Sequence, residues 1–165
     1  QGKRWVFVSN LPYNAGNAIL EAVFHAKNVP SRLVVMVQKE VGERMMAAAG
    51  EMSVLSVATQ IFCAVKRVCT VKPGAFVPPP KVDSVVLEMI PHTEINTNAE
   101  EIIGLAKIGF AHRRKQLRQT LAQGGVADLE RIDRALTILN LPKTVRPQEL
   151  SIENWIALWS TLAHG

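Results

Sequence analysis

In its first half the chain alternates short apolar runs with stretches of helical periodicity; in its second half only the helical period remains. Trp5, Val6, Phe7 and Val8 form an aromatic and β-branched run that stops at a Pro-containing turn, which predicts a short buried strand. Ile19, Leu20, Val23 and Phe24 recur at helical spacing and predict a helix over about 15–26, packed on a sheet. The nearly continuous run from Leu33 to Val37 suits a central parallel strand covered on both faces. Gln38, Lys39 and Glu40 leave the end of that strand and open a helix reaching about residue 49. Gly50 breaks it, and a further helix is expected over about 54–64, with Leu55, Ala58, Ile61 and Phe62 on one stripe. Residues 65–71 and 82–90 read as strands with no helix between them. So short a link cannot make a parallel crossover, so this pair is expected to be antiparallel.

Residues 91–98 are polar and form the candidate linker between domains. Asn98 with Glu101 resembles a capping box and opens a helix over about 99–110. A second helix, about 114–123, stops at Gly124-Gly125, and a third, about 129–139, ends before Pro142. The last begins at Ser151 as N-cap, with Ile152, Trp155, Ile156, Trp159 and Leu162 as its apolar face. Neither an internal repeat nor a low-complexity segment interrupts this order.

Composition narrows the class. With 165 residues and 48% apolar content the chain can bury a core as one domain or two small ones. It has no apolar run of bilayer length and no secretory pattern at its first residues, so a soluble cytoplasmic protein without a membrane partner is expected. Cys63 and Cys69 form no Cys-x-x-Cys pair, and His25, His92 and His164 have no partner at ligand spacing. Neither a metal site nor a disulfide framework is expected. The formal charge of +5 is modest, but its distribution is uneven: residues 102–127 carry Lys107, Arg113, Arg114, Lys115 and Arg118 and no acid. Arg114, Lys115 and Arg118 can share a helix face, either as a phosphate-binding surface or as an ordinary solvated one.

The candidate chemistry begins at Ser9 to Tyr13. In open α/β sheets ligands sit beyond the carboxyl ends of the strands, where Asn10 would stand. Asn10 offers an acceptor and a donor, Pro12 stiffens the turn, and Tyr13 offers a flat face. Together they can grip a planar amino-heterocycle such as adenine; the competing reading is an ordinary strand-to-helix turn. Pro78 to Pro80 pre-set an extended loop that holds Lys81 and Asp83, and Lys81 either touches a phosphate or is simply solvated. Gln38, Lys39 and Glu40 are site-adjacent, with Glu40 equally well explained as a first-turn carboxylate on the helix dipole.

Asn10-Leu11-Pro12-Tyr13-Asn14 resembles the fourth motif of the rRNA adenine N6-dimethyltransferases of the KsgA/RsmA type. Gln38-Lys39-Glu40-Val41, Phe76 with Pro78-Pro79-Pro80-Lys81-Val82-Asp83-Ser84, and Arg113-Arg114-Lys115 with Leu117-Arg118 resemble further stretches of the same family in the same order. The resemblance runs from about residue 4 to 162. It implies an α/β fold: residues 1–92 as the C-terminal half of a Rossmann-like class I methyltransferase domain, and 93–165 as a small all-α RNA-binding domain. It further implies S-adenosyl-L-methionine-dependent N6-dimethylation of adenines in small-subunit (16S) rRNA, on the 30S precursor, during ribosome biogenesis. Asn10, Leu11, Pro12, Tyr13 and Phe76 would be the catalytic set, Phe76 stacking on the base or else plugging its loop. Asn10 would also touch the methyl donor, and Lys81, Arg113, Arg114, Lys115 and Arg118 would bind RNA.

The family's donor site lies mostly upstream of the Asn10 motif, so a truncated, inactive fragment is expected, with Trp5 to Val8 as an exposed edge open to self-association. Ala15-Gly16 departs from the Ile-Ser usual in the family, and the loop at Gly50 to Ser53 is shorter than usual. Two alternatives stand beside this reading: a non-catalytic RNA-binding module for ribosome assembly, and a large-subunit rRNA methyltransferase of the antibiotic-resistance type. DNA adenine methyltransferases usually carry Pro where Leu11 stands, which argues against DNA.

Overall fold

The computed structural model describes residues 4–12, 15–93 and 97–164, excepting the side chain of Asn17. Two compact units divide the chain, Gln1–Met46 with Phe62–Ile95, and Ala47–Ile61 with Asn96–Gly165.

In the first unit, apolar runs of two-residue period make a sheet and helical ones cover a face of it. The strands are β1 (Val6–Asn10), β2 (Arg32–Gln38), β3 (Cys63–Val71) and β4 (Ser84–Pro91), and the helices α1 (Gly16–Phe24) and α2 (Lys39–Met45). Sheet order is β1-β2-β4-β3, with β1 parallel to β2 and both β4 pairings antiparallel, the last as the short link required. Leu33, Val35 and Val37 stand opposite Met89, Leu87 and Val85, and all six are at most 5% exposed. Gly42 of α2 lies directly on this layer: a Cβ there would collide with Val85 Cγ2 and crowd Val37 Cγ2 at 3.3 Å. Phe24 from α1 stacks on Phe62 with ring centroids 5.2 Å apart.

Three expectations change here. The strand expected over Leu33 to Val37 is not covered on both faces, because Val34 and Met36, on the opposite side of the pleat, are only half-buried. On that side Glu88 bridges Arg32 at 3.0 Å and Lys66 at 2.6 Å. The Lys66 hydrogen bond, with the charge of Arg32 added, holds the Glu88 carboxyl below its ordinary range despite some desolvation. The first strand, buried on its residue pattern alone, is the sheet's edge, as the family resemblance implied for Trp5 to Val8, with Val6 51% and Val8 73% exposed. The helix expected to reach residue 64 stops at Gln60, because Cys63 already pairs with Pro91 in the β3–β4 ladder.

The second unit holds α3 (Val54–Gln60), α4 (Ala99–Gly109), α5 (Leu117–Gln123), α6 (Leu129–Ile138) and α7 (Ile152–His164). Their shared core includes Ile102, Leu117, Leu121, Ile132, Leu136, Trp155 and Leu158, all fully buried. The stripe on α3 is displaced from that expected: Ser56, Val57 and Thr59 are buried, whereas Leu55 and Ala58 are half-exposed. Ser53 and Ser56 cap the helix reciprocally. The short loop before it is fastened to the tail, with Gly50 N and Met52 N both donating to Gln148 O, at 2.8 and 3.2 Å. Gly50 has φ +104°, a backbone that favours glycine. Asn98 takes the N-cap position of α4, but its side chain makes no capping hydrogen bond, so the expected capping box is absent. Asp128, not singled out from sequence, caps α6 by accepting from Arg131 N at 2.8 Å. Ser151 caps α7 as expected: its Oγ accepts from Asn154 N at 3.2 Å.

Two glycines of α4 should respond oppositely to the same substitution. A Cβ at Gly109 would lie 2.7 Å from Trp155 and 2.9 Å from Leu117, so Gly109→Ala should cost about 1–3 kcal/mol in urea unfolding. At Gly104 nothing lies within 4 Å, and Gly104→Ala should gain about 0.5–1 kcal/mol from helix propensity. Burial pushes the Cys63 thiol up to about 12, whereas Cys69 is exposed. A thiol reagent at neutral pH should therefore modify Cys69 promptly and Cys63 only on unfolding. The unfolded state ionises Cys63 from about pH 9, so stability should fall with rising pH between there and about 12, and Cys63→Ala should remove that slope.

Candidate functional site

The reversed direction of β4 brings three connections to one end of the sheet. β1 and β2 run parallel and finish there with Asn10 and Gln38; β3 finishes there with Val71, and β4 starts there with Ser84. Asn10 stands level with Val86, two strands across and roughly 10 Å away at normal strand spacing, and Ser84 lies two residues further along β4.

Asn10 ends β1 and is exposed, while Leu11 turns inward and is 2% exposed. Leu11 N donates to Met36 O at 3.0 Å, extending the β1–β2 pairing one residue past the strand. Pro12 O then accepts from Ala15 N and Gly16 N, at 3.2 and 2.9 Å, which starts α1. Backbone hydrogen bonds thus hold Leu11 and Pro12, and Asn10 stands exposed at the carboxyl end of β1 beside them. Tyr13 lies outside the described residues.

The segment between β3 and β4 makes a 3-10 turn at Pro73–Ala75, with Ala75 N donating to Lys72 O and Phe76 N to Pro73 O. Its two feet are joined by Lys72 Nζ and Asp83 Oδ2 at 2.7 Å. Asp83 O also accepts from Lys39 N at 2.9 Å, which ties the loop to the first turn of α2. Phe76 is half-buried, and Val77 and Lys81 are exposed. Lys39 and Glu43 approach to 3.9 Å, and Glu40 sits exposed in the first turn of α2. Lys72 was not legible as a partner of Asp83 because they stand eleven positions apart in the chain, across a loop.

The remaining candidates lie in the second unit and are not arranged as expected. Arg113, Arg114 and Lys115 precede α5 rather than belonging to it, because Gln116 is extended and Leu117 N donates to Val145 O at 2.8 Å. They follow a 3-10 turn at Phe110–His112 and are exposed; Lys115 Nζ reaches Gln123 Oε1 at 3.3 Å. Arg118 alone is in the helix, so it shares no helical face with Arg114 and Lys115. Its Nη1 lies 3.1 Å from Asp133 Oδ2, an oxygen that also meets Lys143 Nζ at 3.2 Å. Neither Asp133 nor Lys143 was legible in the sequence window, since both come from later elements.

Among the described residues no helix is long and apolar enough to cross a membrane, and no group of three or more His, Cys, Asp or Glu is placed to hold a metal ion.

A sequence model of the family described as ribosomal RNA adenine dimethylase matches residues 1–158. The chain belongs to that family. It is 37% identical over 164 residues to a "Ribosomal RNA small subunit methyltransferase A" of Thermosynechococcus vestitus, the match covering 94% of this chain and 61% of that protein. A protein of the same name from Synechococcus sp. strain CC9605 is 40% identical, with 96% and 61% covered. The crystal structure of a dimethyladenosine transferase from Plasmodium falciparum superposes with a TM-score of 0.80 at 26% identity, covering 96% of this chain and 67% of that one. The 23S rRNA methyltransferase ErmE superposes with a TM-score of 0.75 at 20% identity, a likeness of fold alone.

The chain thus spans about 60% of the length of these curated relatives. The dimethylase fold accounts for its mixed α/β sheet, as the motif resemblance implied.

Proposed function

We propose that the chain is the adenine-gripping and RNA-holding part of an S-adenosyl-L-methionine-dependent rRNA adenine N6-dimethyltransferase. Its substrate is small-subunit (16S) rRNA, on the 30S precursor in the cytoplasm. The observation that carries this reading is the placement of Asn10: exposed, at the carboxyl end of β1, beside a turn fixed by the Leu11–Met36 hydrogen bond, at the same sheet end as the Phe76 loop. The small-subunit substrate is favoured over the large-subunit one because the relatives at 37–40% identity bear the small-subunit name, whereas the large-subunit enzyme is similar in fold alone.

An adenine amino nitrogen is a poor nucleophile, since its lone pair is delocalised into the ring. The Asn10 side-chain carbonyl and the Leu11 main-chain carbonyl accept the two amino hydrogens, which turns the lone pair out of the ring plane and aims it. Pro12 keeps the turn stiff, so the acceptors do not reorganise as the nitrogen becomes tetrahedral. The base must first leave its stack, and Tyr13 and Phe76 replace the lost stacking on its two faces. Lys81, Arg113, Arg114, Lys115 and Arg118 meet phosphates and hold the RNA in register. Residues 1–92 act as the catalytic portion and 93–165 as the RNA-binding portion.

The bound methyl donor supplies a methyl group on a positively charged sulfur. An exposed amide at a strand's carboxyl end fits such a ligand, and Asn10 is the residue of this chain that would touch it.

The chain extended upstream to its relatives' length should bind S-adenosyl-L-methionine calorimetrically and methylate 16S rRNA, and Asn10→Ala should lower kcat by about 10²–10³-fold. Donor binding without any effect of Asn10→Ala would remove the assigned chemistry. RNA binding without donor binding would leave the non-catalytic assembly module as the better account. The outer edge of β1, with Val6 and Val8 exposed, also supports self-association of the 165-residue chain. Sedimentation should show a concentration-dependent dimer that Val8→Lys dissociates; a monomer at every concentration would dismiss it.

A further inference from the structure

The charges around Asp133 are arranged in a way that the basic run alone does not explain. Asp133 belongs to α6, Arg118 to α5, and Lys143 to the segment after α6, so folding collects them from three places. Both cations converge on one oxygen, Oδ2, at 3.1 and 3.2 Å. The other oxygen, Oδ1, is buried without a hydrogen-bond partner among the described residues. Asp133 is therefore oriented by these two cations alone, and it holds them close together against their repulsion.

The carboxylate is largely covered, with 16% of its side chain exposed, while Lys143 is 57% and Arg118 25% exposed. The triad carries one net positive charge, and its acidic member is the inner one. An arginine has five N–H donors and a lysine three, so one contact each with Asp133 leaves capacity for a second anion. Beside the triad lies an open trough of about 480 Å³, lined by Glu130, Asp133, Arg134, Thr137, Ile138 and Lys143. Glu130 is answered by Arg134 at 3.3 Å, so the trough holds no unbalanced acid. The Leu117–Val145 hydrogen bond sets the segment bearing Lys143 beside the start of α5, next in sequence to Arg113, Arg114 and Lys115.

We propose that Arg118 and Lys143, paired on Asp133, form a clamp for a single phosphodiester of the RNA backbone, with Asp133 as its positioning residue. The clamp deepens the RNA-binding reading and rests on it. It adds Lys143 to the surface and gives Arg118 a shared phosphate rather than one of its own. The nucleoside beyond that phosphate lies in the trough, against Thr137 and the exposed Ile138.

The test is the salt dependence of binding between the 165-residue chain and a short RNA hairpin with adenines in its loop. Each neutralised phosphate contributes about 0.7–0.9 to the slope of log K against log salt concentration. Lys143→Gln, an exposed substitution that leaves the core untouched, should weaken binding several-fold and lower the slope. Lys143→Arg should retain both. The Arg118→Gln/Lys143→Gln double variant should lose about one phosphate's worth of slope in total, because both cations serve the same phosphate. A loss of twice that amount means two independent contacts and overturns the clamp. Lys143→Gln with unchanged affinity and slope, while Arg114→Gln lowers both, overturns the clamp and leaves the RNA reading intact. A wild-type chain with no salt-dependent RNA binding overturns both. Lys66→Gln, which removes a cation held by Glu88 in the other unit, is the charge-matched control and should change neither quantity.

Discussion

The antiparallel pairing of β4 against β2 is the constraint on which the first unit depends. It sets Leu33, Val35 and Val37 opposite Met89, Leu87 and Val85 and so creates the layer on which α2 lies. At Gly42 that layer leaves no room for even one added carbon. The same pairing decides where the chemistry can be. Because β4 runs backwards, the loop carrying Phe76 and Lys81 must leave the sheet at the end where β1 delivers Asn10. A parallel β4 would have put the loop at the opposite end, far from that turn. Asp83 completes the link, since its carbonyl caps the β2–α2 junction while its carboxylate closes the loop on Lys72.

What could be read from the sequence follows the range of the forces involved. Period and turn residues act locally, so the strands, most helix cores, the antiparallel direction of β4 and the Gly124-Gly125 stop were all legible. Coverage of a sheet face is a property of neighbours. Val34 and Met36 look as apolar as Leu33 and Val35, and only the packing makes them half-exposed. Helix ends proved to be contests between propensity and distant partners. Residues 61–64 can continue a helix, but the ladder that pairs Cys63 with Pro91 wins. Residues 114–116 can begin one, but the bond from Leu117 to Val145 sets the start later.

The candidate site divides along the same line. The Asn10 turn was legible because its parts are adjacent in the chain and each has a local reason to be there. The polar grammar of the second unit was less so: the Ser53–Ser56 and Asp128 caps formed, while the expected Asn98–Glu101 box did not. A capping motif is a set of donors and acceptors at the right spacing. Whether they engage depends on how the tertiary contacts set the entry angle of the chain.

The basic cluster gives the clearest instance of folding rewriting a sequence signal. Within residues 102–127 Arg118 has no acidic neighbour, and it counts as one free positive charge. Folding brings Asp133 against it, which by itself would silence that charge for any distant phosphate. Folding also brings Lys143 to the same oxygen, and the group of three returns to a net charge of one. The field felt by an approaching RNA is therefore close to what the sequence implied, but it now comes from an oriented pair of cations rather than one mobile side chain. A carboxylate at the centre of a basic surface lowers its total charge by one; here Lys143 offsets that unit, and the carboxylate contributes geometry while the group keeps the single positive charge that Arg118 alone would carry.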